Sequence, residues 1–232
     1  AYAKFCEGGW PGIAGDPDFG GQGLPKAVAV ACDEMWAAAN VSFALCPELS
    51  QGAILAMDRH ATDELKAIYL EKLISGQWAG TMCLTEAHAG SDLSSLTTRA
   101  EPKGDRYLIT GQKIYITWGD HPMAENIIHL VLARLPDAPA GTKGISLFVV
   151  PKVLPDSAGG LGPRNRVSCG AIEKKMGIRG MPTGGLFFDK VTVPRDARLG
   201  AEGQGLSVLL SSMTGNRPAI GARGVGLAQG AF

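Results

Sequence analysis

Apolar residues in the first eighty positions recur at separations of three and four. From Lys26 to Cys46 the large ones, Val28, Met35, Trp36 and Phe43, fall at intervals that sum to helical turns, with alanines between them. That spacing predicts a buried helix leaving at Pro47, followed by a shorter helix from Glu48 to about Arg59. A third helix is marked at both ends. Thr62 is the expected N-cap, Asp63 and Glu64 suit the positive end of the helix dipole, Leu65, Ile68, Tyr69 and Leu73 form one face, and Gly76 suits the exit. An irregular Gly/Pro-rich lead-in, Gly8 to Pro25, precedes all three.

Beyond residue 78 the grammar changes to short runs rich in β-branched and aromatic residues, separated by Gly, Pro, Asp or Asn. Ala79 to Glu86, Asp105 to Ile109, Lys113 to Thr117, Asn126 to Arg134, Ile145 to Pro151 and Gly185 to Val193 are the predicted strands. Tyr107 to Thr117 reads as a hairpin with Gly111 near the bend. Helical spacing returns from Gly205, with Leu206, Leu209, Leu210 and Met213 on one face and Ile220, Val225 and Leu227 beyond Pro218. The expected fold class is α+β and multidomain. A helical N-terminal domain covers 1–78, a central antiparallel β-barrel or sandwich covers 79–197, and a C-terminal helical domain begins over 198–232.

Composition narrows the function classes. The chain is 45% hydrophobic and 19% charged with mean hydropathy +0.07, which excludes general disorder. Lys plus Arg and Asp plus Glu are 22 each, leaving no electrostatic footprint for nucleic acid or an anionic membrane. Five cysteines without a C-x-x-C pair read as thiols of a reducing compartment, and the four histidines lack metal-ligand spacing, so no metal is expected. No run approaches about 18 uninterrupted apolar residues, and no leader pattern opens the chain. The expectation is a cytoplasmic protein without a transmembrane segment. The chain opens on Ala1 and stops at Ala231-Phe232 inside a helical pattern, so both ends read as cuts.

The residues at the α–β–α joints are more specific than the order itself. Met82-Cys-Leu-Thr-Glu-Ala-His-Ala-Gly-Ser-Asp92 resembles the signature of the acyl-CoA dehydrogenase family, in which Thr-Glu-Pro leads into a small-residue turn ending Gly-Ser-Asp. Four further segments resemble the family in order and spacing. They are Trp10-Pro-Gly with Phe19 to Pro25, Gly111-Gln-Lys-Ile-Tyr-Ile-Thr117, Lys175-Met-Gly-Ile-Arg179, and Phe188 to Pro194 with Leu199 to Gly205. Gly119-Asp-His121 and Leu135-Pro-Asp-Ala-Pro139 are most similar to the long bacterial members with an extended C-terminal region.

The resemblance implies an FAD cofactor and an acyl-CoA substrate. It implies that Met82, Leu84 and Thr85 line the isoalloxazine ring, with Thr85 bonding its polar edge, and that Ser91 stands beside both ligands. Tyr115 and Thr117, two apart on one strand, are expected on one face, the first packing near the flavin and the second donating to the nitrogen that receives hydride. Trp118 stands where the family often has Asn. Thr214 and Arg217 match segments that contact substrate and CoA. Each residue also has a plain structural reading: a strand threonine, a turn or N-cap serine, a surface arginine. Glu86 is expected to be structural.

The implied reaction takes a proton from the carbon alpha to the thioester while the beta carbon gives up hydride, so a carboxylate must reach the alpha carbon. Asn216 occupies the place from which one branch of the family supplies that glutamate, and Asn cannot abstract a proton. No catalytic residue is therefore expected within the segment, and the base is expected beyond Phe232. Gly221 to Gly226 lies in a helical pattern and reads as small residues for close packing rather than a dinucleotide fingerprint. The implied product is a trans-2-enoyl-CoA, with an electron-transfer flavoprotein as acceptor and a homodimer or homotetramer as assembly. Two alternatives stay open: a non-catalytic flavin- or CoA-binding fragment or partner subunit, and an acyl-CoA oxidase-type flavoenzyme.

Overall fold

The computed structural model describes residues 1–232. Its helices are α1 (Tyr2–Glu7), α2 (Lys26–His60), α3 (Asp63–Ile74) and α4 (Gly205–Ala231). Its strands are β1 (Trp78–Cys83), β2 (Arg99–Lys103), β3 (Arg106–Thr117), β4 (Asn126–Arg134), β5 (Ile145–Pro151), β6 (Val153–Pro155), β7 (Leu161–Arg164), β8 (Val167–Ile172), β9 (Thr183–Pro194) and β10 (Arg198–Leu199).

Where the caps are local, the structure follows them. The Thr62 hydroxyl accepts from the Leu65 N–H at the start of α3, and Gly76 leaves it with φ of 77°, a left-handed value that glycine adopts without strain. The break in α2 falls elsewhere than expected. Asn40 (φ −162°, ψ 92°) leaves helical geometry, and its Oδ1 accepts from the Phe43 N–H at 3.1 Å, so it caps a second helical arm. That arm carries Pro47 in its buried interior and runs on to His60. By length and composition alone α2 is apolar enough to cross a membrane. Here its second arm packs Ala53, Ile54, Ala56 and Met57 into the main core.

The helix faces depart from the expectation in part: Leu209 on α4 and Leu65, Tyr69 and Leu73 on α3 are buried as expected, but others are not. Val28 and Met35 on α2, and Leu210, Ile220, Val225 and Leu227 on α4, are exposed, Met35 by 61%. Many buried positions are small, among them Ala29, Cys32, Ala37 and Ala44 on α2 and Gly205, Ser212, Ala219 and Gly226 on α4, although Val208 and Leu209 at the start of α4 are buried as well. Small residues let the two backbones approach closely. A Cβ at Gly226 would stand 2.3 Å from the Glu34 carbonyl oxygen, whereas at Gly224 it would meet nothing within 4 Å. Gly226→Leu is therefore expected to destabilise by about 1–3 kcal/mol through overpacking. Gly224→Ala is expected to stabilise by up to about 1 kcal/mol through helix propensity. Urea unfolding of both variants checks this, and equal midpoints would contradict it.

Eight strands form one sheet in the order β10-β5-β4-β2-β3-β9-β8, with β1 added parallel to β4, while β6 and β7 pair separately. β4 and β5 are apolar runs buried along almost their whole length, which makes them the centre of the β core. The expected hairpin within Tyr107 to Thr117 is absent, since β3 is one continuous strand. The hairpin is β2–β3, turning at Gly104 with φ of 62°. Gly111 lies instead beside a register shift between β3 and β9, where Thr98 packs so closely that a Cβ would fall 2.4 Å from its Oγ1.

Candidate cofactor and substrate site

The exit of β1 and the end of β3 run side by side. The Thr81 hydroxyl donates to the Thr117 carbonyl at 3.0 Å, and the Ile114 N–H donates to the Thr85 carbonyl at 2.9 Å. These two bonds bring Met82, Leu84 and Thr85 next to Tyr115 and Thr117. The face shared by the last two needs correction, because simple alternation assumes an unbroken strand. A register shift lies between Lys113 and Ile116, and Tyr115 within it has φ of 58° and is 60% exposed. A bulky residue at positive φ stores strain, which is characteristic of sites held for a purpose. Trp118, also at positive φ, is buried and donates from its indole N–H to the Ser42 carbonyl, tying the end of β3 to α2.

Under this surface lies a buried ion pair. The Lys113 ammonium, fully buried, donates to Glu86 Oε1 at 2.8 Å and to the Leu84 carbonyl at 3.0 Å. Glu86 also accepts from the N–H and hydroxyl of both Thr97 and Thr98, at 2.6–3.0 Å. Burial alone would raise its pKa. The Lys113 and Thr98 hydrogen bonds, the Lys113 charge and the Thr97 N–H outweigh burial and hold it down at about 2. With five donors on its carboxylate, Glu86 is a structural anion and no proton acceptor for a substrate.

Ser91 lies on the loop that folds back over Thr85. A Cβ at Gly90 would stand 3.4 Å from Thr85 Cγ2. The cap of the following 3-10 turn is Asp92, whose Oδ1 accepts from the Ser94 N–H at 2.8 Å, so Ser91 is not the N-cap. Arg134 holds this loop from the end of β4. It donates to the carbonyls of Leu96 (3.0 Å), Ser94, Pro139 (2.9 Å) and Gly141 (2.7 Å). The sequence reading missed it, the only signal being one charged side chain closing an apolar strand.

The hydrogen-bond pattern tests whether these residues suit a flavin. The hydroxyls of Thr85, Ser91, Tyr115 and Thr117 have no partner within the chain, whereas those of Thr81, Thr97 and Thr98 do. The amide N–H groups of Leu84 and Thr85 donate to no acceptor in the chain either. Free donors at one place, beside the apolar side chains of Met82 and Leu84, suit a flat ring with a polar rim. The residues present fit the group.

The α4 residues are placed differently. Thr214 is exposed and its hydroxyl donates back to the Leu210 carbonyl at 2.9 Å, while Arg217 is exposed and makes no ion pair. No hydrogen bond joins either to the β1–β3 cluster. Asn216, between them, is buried. Its Nδ2 donates to the Glu48 carbonyl at 3.3 Å and its Oδ1 has no partner. It approaches Met82 across Gly52, where a Cβ would meet Asn216 Nδ2 at 3.3 Å and Met82 Cε at 3.5 Å.

Comparisons agree over the length of the chain. Residues 81–191 match the family model for the acyl-CoA dehydrogenase middle domain, and residues 1–77 match that for the acyl-CoA dehydrogenase N-terminal domain. The chain is 46% identical over 233 residues to 3-methylmercaptopropionyl-CoA dehydrogenase of Ruegeria pomeroyi, covering 100% of itself and 39% of that protein. It is 41% identical over 190 residues to a butyryl-CoA dehydrogenase of Syntrophomonas wolfei, covering 81% of itself and 31% of that protein. The chain thus spans well under half the length of these relatives. Butyryl-CoA dehydrogenase from Megasphaera elsdenii superposes with a TM-score of 0.84 at 27% identity, over 99% of this chain and 57% of that one. A chain from a structure of the electron transferring flavoprotein of Acidaminococcus fermentans gives 0.84 at 30% identity, over 99% and 57%. With both family models matched in order across most of its residues, the chain belongs to the acyl-CoA dehydrogenase family.

Proposed function

We propose that the protein catalyses FAD-dependent α,β-dehydrogenation of an acyl-CoA thioester to the trans-2-enoyl-CoA, with the base contributed from outside these 232 residues. The observation that carries this reading is the convergence of uncommitted donors, Thr85, Ser91 and Thr117, beside the exposed Tyr115. FAD is the cofactor of the family, and when bound it supplies the two-electron acceptor. Met82 and Leu84 offer it apolar packing, and the free Thr85 hydroxyl and amide offer donors to its polar edge. Tyr115 packs near it. Thr117 is free to donate where negative charge arrives on the ring.

Ser91 serves both ligands from its exposed loop, and Arg217 and Thr214 offer contacts toward the CoA portion. Neither Glu86, saturated by five donors, nor Asn216, an amide, is available as a base. The named substrates of the two curated relatives carry short acyl groups, which favours a short acyl-CoA here. An electron-transfer flavoprotein fits as acceptor, in line with the structural neighbour, and a homodimer or homotetramer is the assembly we favour. All five cysteines are free thiols, which supports the cytoplasmic placement.

The test uses the full-length protein. It should purify yellow and bleach on adding a short acyl-CoA under anaerobic conditions, and a colourless protein indifferent to thioesters would overturn the reading. Thr117→Ala is expected to retain flavin and lose kcat on the order of a hundredfold, the usual effect of removing one preorganised donor. Stopped-flow reduction of the flavin measures it.

A further inference from the structure

We infer that Lys113 is a positioning residue for the cofactor's polar edge, fixing the Thr85 peptide by gripping the residues on either side of it. The inference rests on the reading that Thr85 meets the flavin. Lys113 Nζ donates to the Leu84 carbonyl at 3.0 Å and to Glu86 Oε1 at 2.8 Å, and the next residue, Ile114, donates its N–H to the Thr85 carbonyl at 2.9 Å. Three consecutive residues after β1 are thus held by two consecutive residues of β3.

Lys113 is also the last regularly paired residue before the register shift that contains Tyr115. One side chain therefore ties the Thr85 segment to the start of the bulge that carries Tyr115. A buried ammonium is a costly way to stabilise a core, since apolar replacement of a buried ion pair is often neutral or stabilising. What an apolar side chain cannot do is hold a particular carbonyl and carboxylate in register. Supporting groups of this kind act on a bound group through the residues that touch it, and losing one elsewhere costs about 10–100-fold.

The experiment uses full-length holoenzyme. Lys113→Met leaves Glu86 buried without its counter-charge and is apt to misfold, so the working variant is Lys113→Met with Glu86→Gln, which strands no charge. The readouts are FAD dissociation, the visible absorption bands and the midpoint potential. The expected result is at least tenfold weaker FAD binding and a potential lowered by about 30 mV, the equivalent of a tenfold weaker relative hold on reduced FAD for a two-electron couple. The same pair of substitutions in a Thr85→Val background should move the potential by less than in the parent, because the hydroxyl part of what Lys113 positions is already gone and only the Thr85 amide remains.

A folded double variant with unchanged FAD affinity, spectrum and potential would overturn the inference, as would an equal shift in the Thr85→Val background. A double variant that does not fold shows that the pair is needed for the fold itself and also overturns it. If Thr85→Val alone leaves FAD binding and potential unchanged, the fault lies with the placement of Thr85 against the flavin.

Discussion

Glu86→Ala is expected to destabilise the protein by about 3–5 kcal/mol, the usual result of breaking a buried pair from one side. The substitution leaves the Lys113 ammonium with no exposure to solvent and only the Leu84 carbonyl as partner. It also strands the N–H and hydroxyl donors of the buried Thr98. Equilibrium urea unfolding should show a lower midpoint at unchanged m-value, and a loss below about 1 kcal/mol would contradict the account. The same carboxylate has a pH signature. Its pKa falls from 4.5 to about 2 on folding, so its contribution is complete above pH 4.5 and is lost as pH drops toward 2.

Acid should weaken the fold well before that window, through two buried histidines. His129, fully buried on β4, has a pKa lowered from 6.5 to about 3, by desolvation first and the Lys152 charge second. His121, nearly buried, is lowered to about 4 for the same reasons in the same order. The folded state keeps both rings neutral while the unfolded chain protonates them. Stability from this source is therefore full above pH 6.5 and is lost as pH falls toward 3–4. His129 alone accounts for about 5 kcal/mol over the whole interval. Its Nδ1 lies 3.9 Å from Cys83 Sγ and its Nε2 has no partner, so an apolar residue of similar volume suits the site. His129→Leu should be at least as stable as the parent at pH 7 and show a flatter profile between pH 6.5 and 4. A profile parallel to the parent's would sink the assignment.

Features set by neighbours in sequence were legible. Thr62 and Gly76 bound α3, and the apolar runs of β4 and β5 mark the core, because capping and full burial leave local signatures. Features set across the fold were not. Leu209 is buried as its spacing suggested, but Val28 and Met35 on α2 and Leu210, Ile220, Val225 and Leu227 on α4 are not, because close backbone approach selects for small residues, as the Gly226 contact with Glu34 shows. Pro47 looked like a stop, while the actual break is at Asn40, whose side chain supplies the cap.

Gly111 looked like a turn because a glycine packed against Thr98 and a glycine at a bend are the same letter. At the site, the motif segments could be read and their convergence through Thr81 and Ile114 follows them. The work of Lys113 and Arg134 could not, since both act on carbonyls many residues away in sequence.

The left-handed backbone at Tyr115 sets two selections against each other at one position. For the fold alone, glycine or asparagine would relax the φ of 58°, and a β-branched residue would add strain of about 1–2 kcal/mol. For the ligand, an aromatic plane is worth keeping. A saturation library at this position sorted for thermal resistance should therefore return a different set of amino acids from one sorted for yellow colour.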